Sequence, residues 1–363
     1  MEKPGNRIKL LDGFRAIAIM AVLLFHFFSR YAGSPSLYPY NNKYNFFSYG
    51  FMGVHFFFLI SGFVIFFTLE KTATFPAFWK KRLIRLFPSM AIASVLTFII
   101  FRLFDNQLLF PESHRVANFA TGLTFINPAL INYMLHPRVG FQYLSGSYWS
   151  LWPEIQFYLF ASVLFYINKK NFTRNFSLIS VFLICVNHLM QNILKNNVLH
   201  IHLPQAFLNN YLFFYQLFNL LYFLPFFCAG MLFYLLYKHN NQANLSVKIC
   251  LGFFLTYIFY TGFGVAEHFI YTFMFALFFC FIYYPKKLAF LNNPLISRIG
   301  ISSYFLYLIH EHIGVLMINK LGKHFMPAGF VFTILLICCL TFISILYSET
   351  IEKRISAFLR GKK

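Results

Sequence analysis

Three ionisable residues share one apolar segment near the start of the chain: Asp12, Arg15 and His26. Charged or titratable groups are costly inside a membrane span, and each marks a site by default. Arg15 and His26 are eleven residues apart, close to three helical turns, so they lie on one face and ~16 Å apart along the axis. Asp12 and Arg15 are three apart and can pair. A neutral histidine can serve as a general base or as a nucleophile. It can equally be a helix residue hydrogen-bonded to its neighbour, with no chemistry. His55 falls at a similar depth in the next apolar run, and Ser61 and Gly62 beyond it suit close helix packing. Arg82 and Arg85, three apart ahead of Pro88, put two forked guanidiniums on one face at the expected start of a helix. That pair suits a phosphate-bearing ligand or anchors the helix at lipid headgroups. Glu154 follows Ser147-Tyr148-Trp149-Ser150 a turn or two into a further apolar run. A carboxylate there is either functional or half of an ion pair. Ser303, Tyr307 and His310 recur at four and three residues, a polar stripe on one helix face. Glu267 and His268 are expected to be a solvated loop pair.

The elements that must hold these residues are membrane spans. Of 363 residues, 59% are hydrophobic and 11% are charged, too few charges to cover a soluble globule of this size. Ten apolar runs are long enough to cross a bilayer: 11–29, 48–69, 83–104, 148–167, 176–195, 211–237, 248–265, 267–284, 299–318 and 328–348. The stretch 117–135 carries Thr121, Thr124, Asn127, Pro128 and Asn132, and reads as interfacial or re-entrant rather than an eleventh span. The expected fold is all-α, polytopic, with about ten transmembrane helices and both termini cytoplasmic.

A formal charge of +20 would suggest nucleic acid in a soluble protein. Here the basic residues flank apolar runs, so no nucleic-acid partner is expected. With the N-terminus inside, 21 of the 30 Lys and Arg fall on the cytoplasmic side and 8 outside, Arg15 lying within the first span. The inner set includes Lys3, Arg7, Lys71, Lys169, Lys170, Arg174, Lys238, Lys286, Lys362 and Lys363, and the outer set includes Lys43 and Lys195. An eleventh span would invert every later loop and spoil this asymmetry. All six cysteines lie in apolar runs without CxxC or Cys/His spacing, so neither a disulfide framework nor a metal site is expected. The first run is broken at its start by Asp12 and Arg15 and lacks a small-residue cleavage site, so it is expected to stay as the first span.

Taken in order, the motifs resemble those of the membrane acyltransferase-3 family, the O-acyltransferases of bacterial surface polysaccharides. They are Leu11-Asp12-Gly13-Phe14-Arg15-Ala16-Ile17-Ala18 followed by His26; the run from Gly53 through His55 and Ser61 to Phe63; Arg82-Leu83-Ile84-Arg85-Leu86-Phe87-Pro88; Tyr148-Trp149-Ser150-Leu151 with Glu154, Gln156 and Tyr158; and Ser303-Tyr304 through Tyr307 to His310. Glu352-Lys353 resembles the family's closing signature, with Arg354 where proline is usual. His55 stands where the family often has aspartate. Each motif is weak alone, and five in sequence are specific.

The resemblance implies one transmembrane acyltransferase domain over 1–355 and a basic cytoplasmic tail, 356–363. It implies no permanently bound cofactor, an acyl-CoA donor (acetyl-CoA foremost) from the cytoplasm, and an acceptor hydroxyl on an extracytoplasmic or lipid-linked glycan. The expected location is the bacterial cytoplasmic membrane. His26 would be catalytic and Arg82 and Arg85 would bind the CoA. Glu154 or Asp12 would orient a histidine or guanidinium such as Arg15. Tyr148, Ser150, Ser303 and Tyr304 are candidates to contact substrate or a developing oxyanion, with His310 and His55 as further candidates. The ~16 Å from Arg15 to His26 is comparable to a pantetheine arm. The competing class is a transporter or flippase of polysaccharide units, and no internal repeat supports it.

Overall fold

A computed structural model describes residues 8–31, 45–106, 108–196, 203–239, 242–325 and 329–361. Lys3, Arg7, Lys43, Lys362 and Lys363 of the charge pattern lie outside the described residues, as does the side chain of Lys195. Every regular element among the described residues is helical. The α-helices are α1 (Lys9–Phe28), α2 (Gly53–Glu70), α3 (Phe75–Phe104), α4 (Val116–Gly122), α5 (Pro128–Leu135), α6 (Leu151–Ile167), α7 (Phe172–Asn196), α8 (Gln205–Leu217), α9 (Leu220–Lys238), α10 (Leu245–Thr261), α11 (Val265–Tyr283), α12 (Pro294–Ile309), α13 (Glu311–Leu321), α14 (Gly329–Tyr347) and α15 (Lys353–Leu359).

Among the described residues seven stretches are long and apolar enough to cross a membrane, and α12 with the segment after it, bent by 71°, makes an eighth if the pair is one span. The 17-residue helices α6 and α10 occupy the remaining two apolar runs. The protein is a polytopic membrane protein. The stretch 117–135 forms α4 and α5, of 7 and 8 residues, well short of the ~20 that a span needs.

Three boundaries differ from expectation for local reasons. The run 211–237 is two helices, broken between Leu217 and Leu220. There the Trp152 indole donates to Leu217 O at 2.8 Å and the Gln156 amide donates to Asn219 Oδ1 at 3.3 Å. Helix α3 begins at Phe75, so Arg82 and Arg85 sit two turns inside it and not at its start. No free helix-terminal N–H groups reinforce them. Glu267 and His268 belong to the first turn of α11: the Glu267 carboxylate accepts from Phe263 N at 3.1 Å, and both His268 ring nitrogens face carbonyls, of Gly264 and Phe259.

The described residues fall into two compact units. The first draws on 1–57, 80–149 and 272–363, and the second on 58–79 and 150–271. In the first, α1 packs along α12, and α12 along α14. The α1–α12 crossing is close because position 300 is glycine. A Cβ there would lie 1.8 Å from Asp12 O, so any side chain would push the helices apart. Phe14 anchors the inner face of α1 against Phe56, Phe278 and Phe281. In the second unit α9 is central, buried on all sides by α6, α7, α10 and α2. Its crossing with α2 uses a reciprocal pair: Gly62 against Phe227 O and Gly230 against Leu59 O. The outer helix α7 instead turns Leu178, Phe182, Val186 and Leu189 outward at helical spacing, a lipid-facing stripe.

Candidate active site

The bend between α12 and α13 creates the site. In an unbroken helix the Tyr307 carbonyl would accept from the amide of Glu311. Here His310 Nδ1 takes that carbonyl at 2.7 Å. The chain turns, and His310, Glu311 and His312 are all buried at the corner. The α1–α12 crossing brings His26 to the same place.

The hydrogen-bond partners assign the tautomers. His26 Nδ1 lies 3.0 Å from Val22 O and 3.2 Å from His310 Nε2. Carbonyls only accept, so Nδ1 carries the hydrogen in both rings. His310 Nε2 therefore presents a lone pair to His26 Nδ1–H. The remaining nitrogen of His26, Nε2, faces Glu311 Oε1 at 3.4 Å. The carboxylate thus lies beside the second ring nitrogen of His26. The Tyr31 hydroxyl donates to the same Oε1 at 2.9 Å. Glu311 Oε2 is buried and takes no hydrogen bond among the described residues. The carboxylate lies flat against Gly146, where a Cβ would come within 2.7 Å of both oxygens.

His312 has a different part. Gly146 N–H donates to its Nε2 at 3.0 Å, so its Nδ1–H donates to Ser113 Oγ at 2.9 Å, and Ser113 donates onward to Leu144 O at 2.7 Å. Phe110 stacks on the ring with centroids 3.9 Å apart. All its polar atoms are engaged, and it clamps segment 105–147 to the start of α13. Asp105 holds that segment in turn, accepting from Leu109 N, Phe110 N and the His114 ring. Burial works to raise the Asp105 pKa, but these hydrogen bonds outweigh it and hold the carboxyl below its usual value. Glu112, on the same segment, is raised, chiefly by burial and further by the Glu311 charge.

Of the residues singled out from sequence, the structure joins His26 and His310 directly. Asp12 and Arg15 pair at 3.0 Å, toward the other end of α1. His55 is buried beside Phe51. Tyr148 is buried, its hydroxyl near those of Ser94 and Thr97. Ser303 donates to Gly300 O at 2.8 Å, and Tyr304 donates to Leu86 O at 3.2 Å, which ties α12 to the turn of α3 that carries Arg85. Arg82 is buried and Arg85 half-buried on that turn. Glu154 and Ser150 belong to the second unit. Glu154 accepts from Ser61 at 2.9 Å and from Tyr158, so Ser61 is a hydrogen-bonding residue rather than a packing one. No group of three metal-ligating side chains with suitable geometry occurs among the described residues.

A family model described as an acyltransferase domain, that of acyltransferase family 3, matches residues 8–349. The chain belongs to that family. Neither the curated proteins nor the solved structures compared with it provide a match. Membership makes this a multi-pass membrane acyltransferase and favours acyl transfer over the transporter class. The matched region contains the whole His26–His310–Glu311 cluster, including Glu311 and Tyr31, which the sequence did not single out. For Glu311 a signal was present: a carboxylate between two histidines in an apolar helix. For Tyr31, three residues past the end of α1, there was none.

Proposed function

We propose that this acyltransferase moves an acetyl group from cytoplasmic acetyl-CoA to a hydroxyl of an extracytoplasmic or lipid-linked glycan, in a bacterial cytoplasmic membrane. One observation carries the reading: in a chain of this family, the first-span histidine has one nitrogen fixed by Val22 O and His310 and the other turned to a buried carboxylate. That arrangement suits a general base. The acceptor oxygen attacks the thioester carbonyl as His26 Nε2 takes its proton. Glu311 stabilises the imidazolium, the C–S bond breaks, and the leaving thiolate recovers the proton. Arg82 and Arg85 hold the phosphates of the donor by charge-assisted hydrogen bonds.

The test is mass spectrometry of surface glycans from cells that carry the variants, with acetyl-CoA binding measured on purified protein. His26→Gln inserts and binds donor but loses acylation by ~10²–10⁴. Near-normal acylation by well-inserted His26→Gln overturns the assignment, and recovery of an acyl-imidazole at His26 replaces direct transfer by a covalent route. Arg82→Ala and Arg85→Ala each weaken donor binding by ~1.5–3 kcal/mol, and Arg85→Lys restores only part, because an ammonium lacks the fork. Donor binding equal to wild type in both Ala variants would make the pair a membrane anchor.

A further inference from the structure

At one end of the second unit, basic side chains behave in two ways. Lys169 donates to Ala73 O at 2.7 Å, and Lys238 is neutralised by Glu70 at 2.8 Å. Lys170 and Arg174, by contrast, open onto a cavity of 390 Å³ between the ends of α7, α9 and α10. Among the described residues Arg174 gives its Nε to Asn175 Oδ1 at 3.4 Å. His239 adds a third basic group, and Thr173, Asn244 and Ser246 supply polar groups. Among the described residues no Asp or Glu lines the cavity. The first turns of α7 and α10 both face it, so two helix N-termini add partial positive charge to the two full ones.

The volume falls within the ~300–1,000 Å³ of small-molecule sites. Simple anchoring of a helix at a membrane surface requires basic residues on the loops but no concavity with converging donors. Leu178 lines the same cavity and begins the outward apolar stripe of α7, so apolar surface adjoins the cavity.

We propose that this cavity is a binding site for a phosphate-bearing ligand, separate from the His26 cluster and from Arg82 and Arg85. A phosphate monoester or diester is the ligand that uses a fork, an ammonium and helix N–H groups together. The same chemistry is offered by an anionic phospholipid headgroup and by a soluble phosphate ester.

The test uses the full chain purified in an uncharged detergent. Native mass spectrometry counts retained phosphatidylglycerol against phosphatidylcholine. Thermal unfolding is titrated with inorganic phosphate and with ADP, against potassium chloride at matched ionic strength. The expected result is a saturable wild-type response to at least one phosphate probe. It is weakened about tenfold or more in Lys170→Gln/Arg174→Gln and kept in Lys248→Gln, which removes a nearby charge outside the cavity. Both substituted residues are exposed, so the double variant folds. Retention of phosphatidylglycerol without a response to phosphate or ADP assigns the site to a lipid, and the converse assigns it to a soluble ester. A wild type that responds to none, a double variant that responds like wild type, or equal loss in Lys248→Gln overturns the proposal.

Discussion

At the scale of single residues, the site turns on which nitrogen of His26 is left for chemistry. Two acceptors fix Nδ1–H, so under the proposed mechanism the reacting nitrogen is Nε2, whose neighbour is Glu311. Glu311→Gln keeps the shape and removes the charge that steadies a proton on Nε2. Acylation is therefore expected to fall by about 10²–10³, as when one preorganised electrostatic partner is lost, with donor affinity unchanged. Tyr31→Phe removes one hydrogen bond to the same oxygen and is expected to cost less than Glu311→Gln. Steady-state kinetics on purified variants decide. An equal loss in both, or a change confined to donor affinity, would place Glu311 in substrate binding instead. His26 and His310 were legible in the sequence because ionisable groups inside spans are costly. Their pairing was not, because nothing in spacing says which faces of two helices 284 residues apart will meet.

At the scale of elements, the apolar runs foretold where helices would form but not where they would break. Periodicity is continuous through 299–318, and the bend at His310 arises from one side chain competing for a backbone carbonyl. The break before α9 likewise depends on Trp152 and Gln156, which belong to another helix. Segment 105–147 is a further case, for its order rests on buried polar contacts and not on a hydrophobic pattern. Asp105 is its keystone. Because its carboxyl is held below its usual value in the fold, the stability it contributes is complete above the unfolded value and disappears as pH falls through the lowered one. Asp105→Asn is thus expected to unfold at lower temperature than wild type at neutral pH. The gap should close on acidification below the normal aspartate range. Thermal unfolding of both proteins across pH measures this, and a gap that persists in acid would mean the contribution is not ionic.

At the scale of the whole molecule, the asymmetry of Lys and Arg gives an orientation that labelling can check. In a background without the six native cysteines, single cysteines introduced within 105–147 are expected to react with an impermeant reagent from outside. Cysteines at 170 and 286 should react only after the membrane is opened. Labelling of position 170 from outside would remove the ten-span arrangement. The same long-range design has a temporal side. His26 is made 284 residues before its partner His310, so at roughly 5–20 residues per second the ribosome needs on the order of 15–60 s to deliver that partner and Glu311. During that interval the first helix must reside in lipid with an imidazole whose partners on α12 and α13 are not yet made. The bond from His26 Nδ1 to Val22 O, made within the helix itself, satisfies the ring's donor from the moment that helix forms. The nascent chain can thus wait until the helices that carry His310 and Glu311 arrive.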